Sequence, residues 1–317
     1  MDFLDVLFPV SGVKTNILLP PLVAMVISFF TSMGGVSGAF LLLPFQMSVL
    51  NYTAPSVSGT NHVYNIVAIP SGVYRYIKEG RMAWPLTWVT IAGTLPGVFL
   101  GFYIRVLYLL DPKAFKFFVG CVLLYIGSRL LKELISKGKT KPSASKALEE
   151  KFKEQKDIRL PAVIPSHAVV KIKHISLKKI EYEFWGERFS FNPIIMFMLS
   201  FIVGIIGGAY GIGGGAIIAP FCISFLHLPA YIIVGAALMG TFMTSVAGAL
   251  FYSIPLVVNN VSSMPDWPLG ILFGIGGLVG MYLGARFQKF VPQRVIKLIL
   301  GLIITLLSIR YISQFFV

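Results

Sequence analysis

The chain has 317 residues, of which 56% are hydrophobic and only 13% charged, with a mean hydropathy of +0.80. That balance excludes an ordinary soluble domain and places the chain among integral membrane proteins. The net charge of +14 does not point to nucleic acid. From Arg129 to Arg188 there are 15 Lys/Arg against 8 Asp/Glu, and most other basic residues flank apolar runs, which is the positive-inside pattern with an attraction to anionic membrane lipid.

The N-terminus carries Asp2 and Asp5 where a signal peptide would carry basic residues, so we expect it to be retained. Apolar runs then occur near 17–50, 56–77, 84–104 and 114–131, each able to cross a bilayer of about 20 helical residues. A polar, basic insert follows at 133–190. Its SASKALEEKFKEQK stretch suits a short solvated helix, and its VKIKHISLKKIEYEFWGERFSF stretch suits a small hairpin or an interfacial segment. Further apolar runs lie near 192–227, 230–254, 267–287 and 294–316. The domains are therefore a first membrane repeat (1–132), a cytoplasmic insert (133–190) and a second membrane repeat (191–317).

The two membrane parts repeat one another. Pro44 and Phe45 match Pro220 and Phe221 at an offset of 176, and Gly35 and Gly38 then match Gly211 and Gly214. Gly93, Gly97 and Gly101 match Gly276, Gly280 and Gly284 at an offset of 183; Lys116, Gly120 and Arg129 match Lys297, Gly301 and Arg310 at 181. Glycines at every fourth position predict close helix packing. The expected fold is an all-α membrane protein of two homologous repeats, each of about four transmembrane segments. The first segment of each is broken or folded back at its glycines. If it crosses once, the repeats are parallel; if it folds back they are inverted, which the distribution of Lys and Arg slightly favours.

Paired breaks at corresponding positions point to a transporter's binding site. A break leaves backbone N–H groups at the start of the next half-helix, and these favour an anion. The candidate substrate-binding residues are Gly34, Gly35, Ser37 and Gly38 with Gly211, Gly213, Gly214 and Gly215. Close packing or a kink is the competing explanation. A dinucleotide fingerprint through Gly211, Gly213 and Ala216 lacks its strand and its acidic residue. A second candidate is SVSGTNHVYN, in which Ser58, Asn61 and Asn65 share a helical face with Thr60 and His62 beside them. Its counterpart supplies Thr241, Thr244 and Ser245. His62 is a candidate carrier of a coupled proton or a structural hydrogen-bonding residue, and a folded-back first segment would put it near an interface. No Asp or Glu lies within a long apolar run, which argues against a sodium site or a carboxylate proton relay. No catalytic cluster, metal set or cofactor motif is evident, so an enzyme is not expected. The two cysteines fall in apolar runs as packing residues.

The GIGGGAIIAPF break, the Gly235–Ala236–Ala237 run and the Trp–Pro pair with its glycine row together resemble the TauE/SafE family of membrane transporters. The resemblance covers the membrane-embedded chain. It departs at Ser37, where the second half has Gly213, and in the length of the insert. It implies a small sulfur-containing anion, such as sulfite or an organosulfonate like sulfoacetate, moved outward across the plasma membrane by alternating access. An anion channel, an uptake permease for thiosulfate-like anions and a scaffold acting through the insert remain as other readings.

Overall fold

A computed structural model describes residues 4–33, 37–78, 82–135, 170–176, 178–184, 186–215, 217–218, 222, 230–254, 257–258, 261–287 and 293–316. A hairpin of β1 (Asp5–Phe8) and β2 (Val13–Asn16) opens the chain. The first-half helices are α1 (Leu19–Met33), α2 (Ala39–Ser48), α3 (Ser56–Ala68), α4 (Pro70–Lys78), α5 (Trp84–Leu107) and α6 (Pro112–Ile135). After an antiparallel sheet of β3 (Lys171–Ile175), β4 (Ile180–Phe184) and β5 (Glu187–Phe191) come α7 (Pro193–Tyr210), α8 (Ala230–Tyr252), a short hairpin of β6 (Val257–Val258) and β7 (Val261–Ser262), α9 (Trp267–Phe287) and α10 (Gln293–Phe316). Among the described residues six helices, α5 to α10, are long and apolar enough to span a membrane. This is a multi-pass, mainly helical membrane protein, and its strands lie in the connections.

Several helix starts are written into the connections. The Asn192 side chain accepts from the Ile194 and Ile195 N–H groups, with Pro193 at the first helical position of α7. Asp111 accepts from the Ala114 N–H before α6, and Asp266 from the Leu269 N–H before α9. Carboxylates at these positions take up otherwise orphaned backbone donors and complement the positive helix end.

The glycine rows explain how the long helices pair. On α5, a side-chain carbon at Gly93, Gly97 or Gly101 would strike the carbonyls of Phe197, Phe201 and Ile205 on α7 in turn. On α9, carbon at Gly276, Gly280 or Gly284 would strike those of Pro21, Met25 and Phe29 on α1. In both pairs the numbers rise together, so the helices run parallel with backbones in contact. The two carbonyl rows themselves stand 176 residues apart, like the two breaks. Lipid tails supply no hydrophobic drive between helices, so such small-residue packing does the work of association. By the same reasoning α6 and α10 are antiparallel, because Gly120 meets Tyr311 and Ile312 while Gly127 meets Ile304 and Thr305.

These contacts fix the course of the chain between two faces. The face holding the β1–β2 hairpin is called face A and that holding the β3–β5 sheet face B. Asp266, at the start of α9, accepts from both the N–H (3.0 Å) and the hydroxyl (2.7 Å) of Ser11 in the hairpin, so α1 and α9 both leave face A. Helix α3 runs with α9, since Gly270 packs on Val63 and Gly274 on Val67. Helix α2 runs the other way, with Ala39 beside Asn61 and Tyr52 beyond its end beside Thr60. The chain thus turns back between α1 and α2, and the turn itself, 34–36, lies outside the described residues. A similar return follows α7: Gly214 lies near Val203, and the Cys222 sulfur sits 3.6 Å from that of Met196.

The insert forms a sheet where a small hairpin was expected. Ile180, Tyr182 and Phe184 of β4 are buried and alternate with Glu181 and Glu183, which pair with Lys179 and Lys173. Those lysines hold the two carboxyls below their usual range. The SASKALEEKFKEQK helix lies outside the described residues.

The backbone contact predicts a steep cost for any side chain in the glycine rows. Gly97→Leu is expected to destabilise by about 3 kcal/mol, as overpacking of a dense contact does. Gly72, which has only an ordinary contact with a Leu238 methyl group, should tolerate alanine with no loss. Thermal unfolding of the two variants in detergent, followed by size-exclusion chromatography, checks both outcomes.

Candidate functional site

Helix α3 is buried from Ser56 through Asn65, although much of its sequence is polar. Such a helix must satisfy every side chain from its neighbours, and the partners turn out to be the two breaks. The Ser37 hydroxyl donates to the Asn65 Oδ1 (3.0 Å), and the Asn65 Nδ2 donates to the Ile212 carbonyl (3.1 Å). One amide therefore joins the first break to the second. Asn61 donates to the Ala39 carbonyl (2.9 Å) and accepts from the Gln46 side chain (3.3 Å). The Ser58 hydroxyl donates to the Ala209 carbonyl (2.9 Å).

The second break ends α7 with a left-handed glycine. Gly211 has φ +89°, and a side chain there would run into the Ser58 backbone. Gly213, at φ +70°, faces Thr241 and Ser245. These two positions require glycine for both conformation and space. The last carbonyls of a helix have no partner within it. Here the Gly208 carbonyl accepts from the Tyr252 hydroxyl (3.0 Å) and that of Ala209 from Ser58. The next segment begins at Gly214, whose N–H donates to the Thr244 hydroxyl (3.3 Å). Thr244 in turn donates to the Gly240 carbonyl (2.7 Å). Gly215 is pressed against the Ala237 carbonyl and Thr241.

The first break is built differently. Ser37, just before the Gly38 N-cap, also accepts from the Ala39 N–H (3.3 Å) at the start of α2. Gly38 lies against the Tyr64 hydroxyl and Ser28, which bond to each other (2.7 Å). Pro44 cannot donate to the carbonyl four residues earlier, and that carbonyl, of Phe40, accepts instead from Tyr210 (2.8 Å), the last residue of α7. Each break is thus completed by side chains from the other half of the chain.

Most predicted site residues converge. Ser37, Gly38, Ser58, Asn61, Asn65, Gly211, Gly213, Gly214, Gly215, Thr241, Thr244 and Ser245 surround the α3–α8 contact and are buried. Gly34 and Gly35 lie outside the described residues. Thr60 is turned towards face A, bonding Tyr52 (3.0 Å) and the Asp266 N–H (2.9 Å). His62 is enclosed between α3 and α8. Its Nδ1 lies 3.4 Å from the Ser245 hydroxyl, its Nε2 has no partner, and its ring rests on Gly248. Folding back of the first segment thus leaves His62 inside the protein, because α8 and Tyr252 cover it.

Sequence reasoning missed Tyr64, within the polar run itself, and Gln46, Tyr210 and Tyr252, whose lone polar tips in apolar stretches gave no pattern. Pro44 was the available signal for Tyr210, since a proline within a helix frees a carbonyl. The structure also buries Arg105 and Asp266 completely, where the sequence marked only a flanking charge and a connection. Among the described residues no group of His, Cys, Asp and Glu is placed to hold a metal.

The helical architecture, the spans and the paired breaks define a polytopic membrane protein with a closed polar centre. The family described as "Sulfite exporter TauE/SafE" matches residues 21–311, and the chain belongs to that family of membrane transporters. It is 21% identical over 292 residues to the probable membrane transporter protein YunE of Bacillus subtilis, covering 89% of this chain and 92% of that one. It is also similar to the probable membrane transporter protein MJ0441 of Methanocaldococcus jannaschii, at 28% identity over 39% of this chain and 44% of the other. The probable membrane transporter protein YdhB of Bacillus subtilis is 23% identical over 39% of this chain and 48% of its own length. No solved structure matches.

Asn65 serves two partners that no other side chain replaces. Asn65→Leu is expected to lower stability by about 3 kcal/mol, because the Ile212 carbonyl and Ser37 hydroxyl are then buried without it. Ser58→Ala removes a single bond and should cost about 1 kcal/mol. Chemical denaturation of the purified variants in detergent distinguishes the two magnitudes.

Proposed function

We propose that this protein is a secondary transporter that exports small sulfur-containing anions, sulfite or an organosulfonate such as sulfoacetate, across the plasma membrane. The observation that carries this reading is the closed centre itself. Ser37, Ser58, Asn61 and Asn65 each place a donor within or against the two breaks, and their acceptors are neutral oxygens, mostly carbonyls of those same segments. An anion entering between the breaks takes over these donors, along with N–H groups such as that of Gly214. The six spans contain no Asp or Glu, so such a ligand meets no fixed negative charge there. The family supports the sulfur-anion class.

Two inverted repeats fit the same geometry. Helix α1 leaves face A and α7 leaves face B; α9 and α5 are opposed in the same way, and each half's first helix packs on the other half's glycine row. Repeats related in this manner provide alternating access, one rocking against the other about a fixed site. Face B, with the basic insert, is assigned to the cytoplasm and face A to the outside. His62, with Nδ1 beside the Ser245 hydroxyl, is assigned to the coupled proton.

Purified protein in liposomes is expected to move labelled sulfite, sulfoacetate or thiosulfate with saturable kinetics, faster when a pH gradient is imposed. Linear, voltage-following flux would instead indicate a channel, and no movement of any of the three would overturn the substrate class. Gly214→Leu should abolish flux while the protein remains monodisperse, because its side chain occupies the space beside Thr94 and the mouth of the half-helix. Normal flux in that variant would remove the glycine breaks from the pathway.

A further inference from the structure

Arg105 closes α5 near face A and is completely buried. A guanidinium in such a place is expected to meet a carboxylate, since removing the charge from water costs several kcal/mol (roughly) even after relaxation. It meets none. Its two terminal nitrogens donate to the carbonyls of Thr53 (2.7 Å) and Leu109, its Nε–H has no partner, and its plane lies 3.6 Å from the centroid of the Phe115 ring. Asp266, the buried carboxylate of the same face, is committed to Ser11 and the Leu269 N–H. Among the described residues no carboxylate matches its charge, and it is held by an aromatic ring, by the Thr53 carbonyl and by the Leu109 carbonyl just past the C-terminus of its own helix, where cations are favoured.

Its surroundings lead to the centre. Tyr52 and Tyr252 both lie within electrostatic reach of Arg105. Tyr252 stacks edge-on against Phe102 (4.8 Å), one turn before Arg105, and its other side faces His62 (5.9 Å). Ser56, at the start of α3, places its buried hydroxyl beside that of Tyr52. The unpaired Arg105 Nε–H and the Ser56 hydroxyl thus stand on the face-A side of Tyr252, while the paired breaks and His62 stand on the other.

We propose that Arg105 is the residue that engages the anion at the face-A end of the pathway, with Ser56 beside it. The inference rests on the transport reading. In the closed protein the guanidinium rests on the Thr53 and Leu109 carbonyls. When the 49–55 connection withdraws, the planar fork exchanges those acceptors for two oxygens of a sulfite or sulfonate group, the bidentate geometry that arginine provides and lysine does not. Tyr252 separates this position from the central one, so the anion occupies them in turn. Thr53 lies between α2 and α3, so release of its carbonyl couples occupation of Arg105 to movement of the first broken segment.

The test uses oriented proteoliposomes and two independent readouts. With wild-type protein moving labelled sulfite, Arg105→Lys should raise the half-saturating concentration at face A at least tenfold and change that at face B less than twofold. An equal change at both faces, or none, overturns the proposal. The second readout needs no variant: phenylglyoxal labelling of wild-type protein, with Arg105 located by mass spectrometry. Labelling is expected at sulfite concentrations far below half-saturation and is suppressed at least fivefold by saturating sulfite but not by chloride. An Arg105 that never labels, or that labels equally with sulfite, also overturns it. If wild-type protein moves no sulfur anion, it is the substrate class that fails.

Discussion

In a bilayer a carbonyl without a hydrogen bond has no water to turn to, and this constraint organises the centre of the protein. Breaking a helix at mid-depth frees several carbonyls at once. Those of Gly208, Ala209 and Ile212 at the second break accept from Tyr252, Ser58 and Asn65, and that of Phe40 at the first accepts from Tyr210. Apart from Tyr252, each donor belongs to the opposite half of the chain. Neither break is complete without the other half, so the polar centre and the association of the halves are one physical fact.

The glycine rows supply the rest of that association. On α5 and α9 they bring backbones into contact where side chains would hold helices apart, and each row receives the first helix of the opposite half. Polar satisfaction at the centre and dense packing at the flanks act on the same helices.

Much of this was legible before any coordinates. Six of the eight apolar runs hold spanning helices and the polar face of α3 follows from periodicity, whereas the runs near 17–50 and 56–77 divide into shorter helices, α1 with α2 and α3 with α4. The tyrosines were not legible. Tyr210 and Tyr252 look like ordinary aromatic residues in apolar runs, and their hydroxyls acquire meaning only from carbonyls 170 and 44 residues distant, as that of Tyr64 does from a serine 36 residues away. Arg105 was equally opaque: a cation near a helix end usually reaches the interface, and only the packing of Phe115 and the connection after α2 encloses it.

By itself, then, the sequence determined the membrane class, the glycine-marked breaks, the close-packing helix faces and the family resemblance, all of which depend on residue type and spacing along one chain. Tertiary structure decided which helix meets which glycine row, that Asn65 joins the two breaks, that His62 is enclosed, and that Arg105 is buried with no carboxylate partner among the described residues. Those outcomes depend on contacts between segments far apart in the chain, and periodicity within a segment carries no information about the partner that will satisfy it.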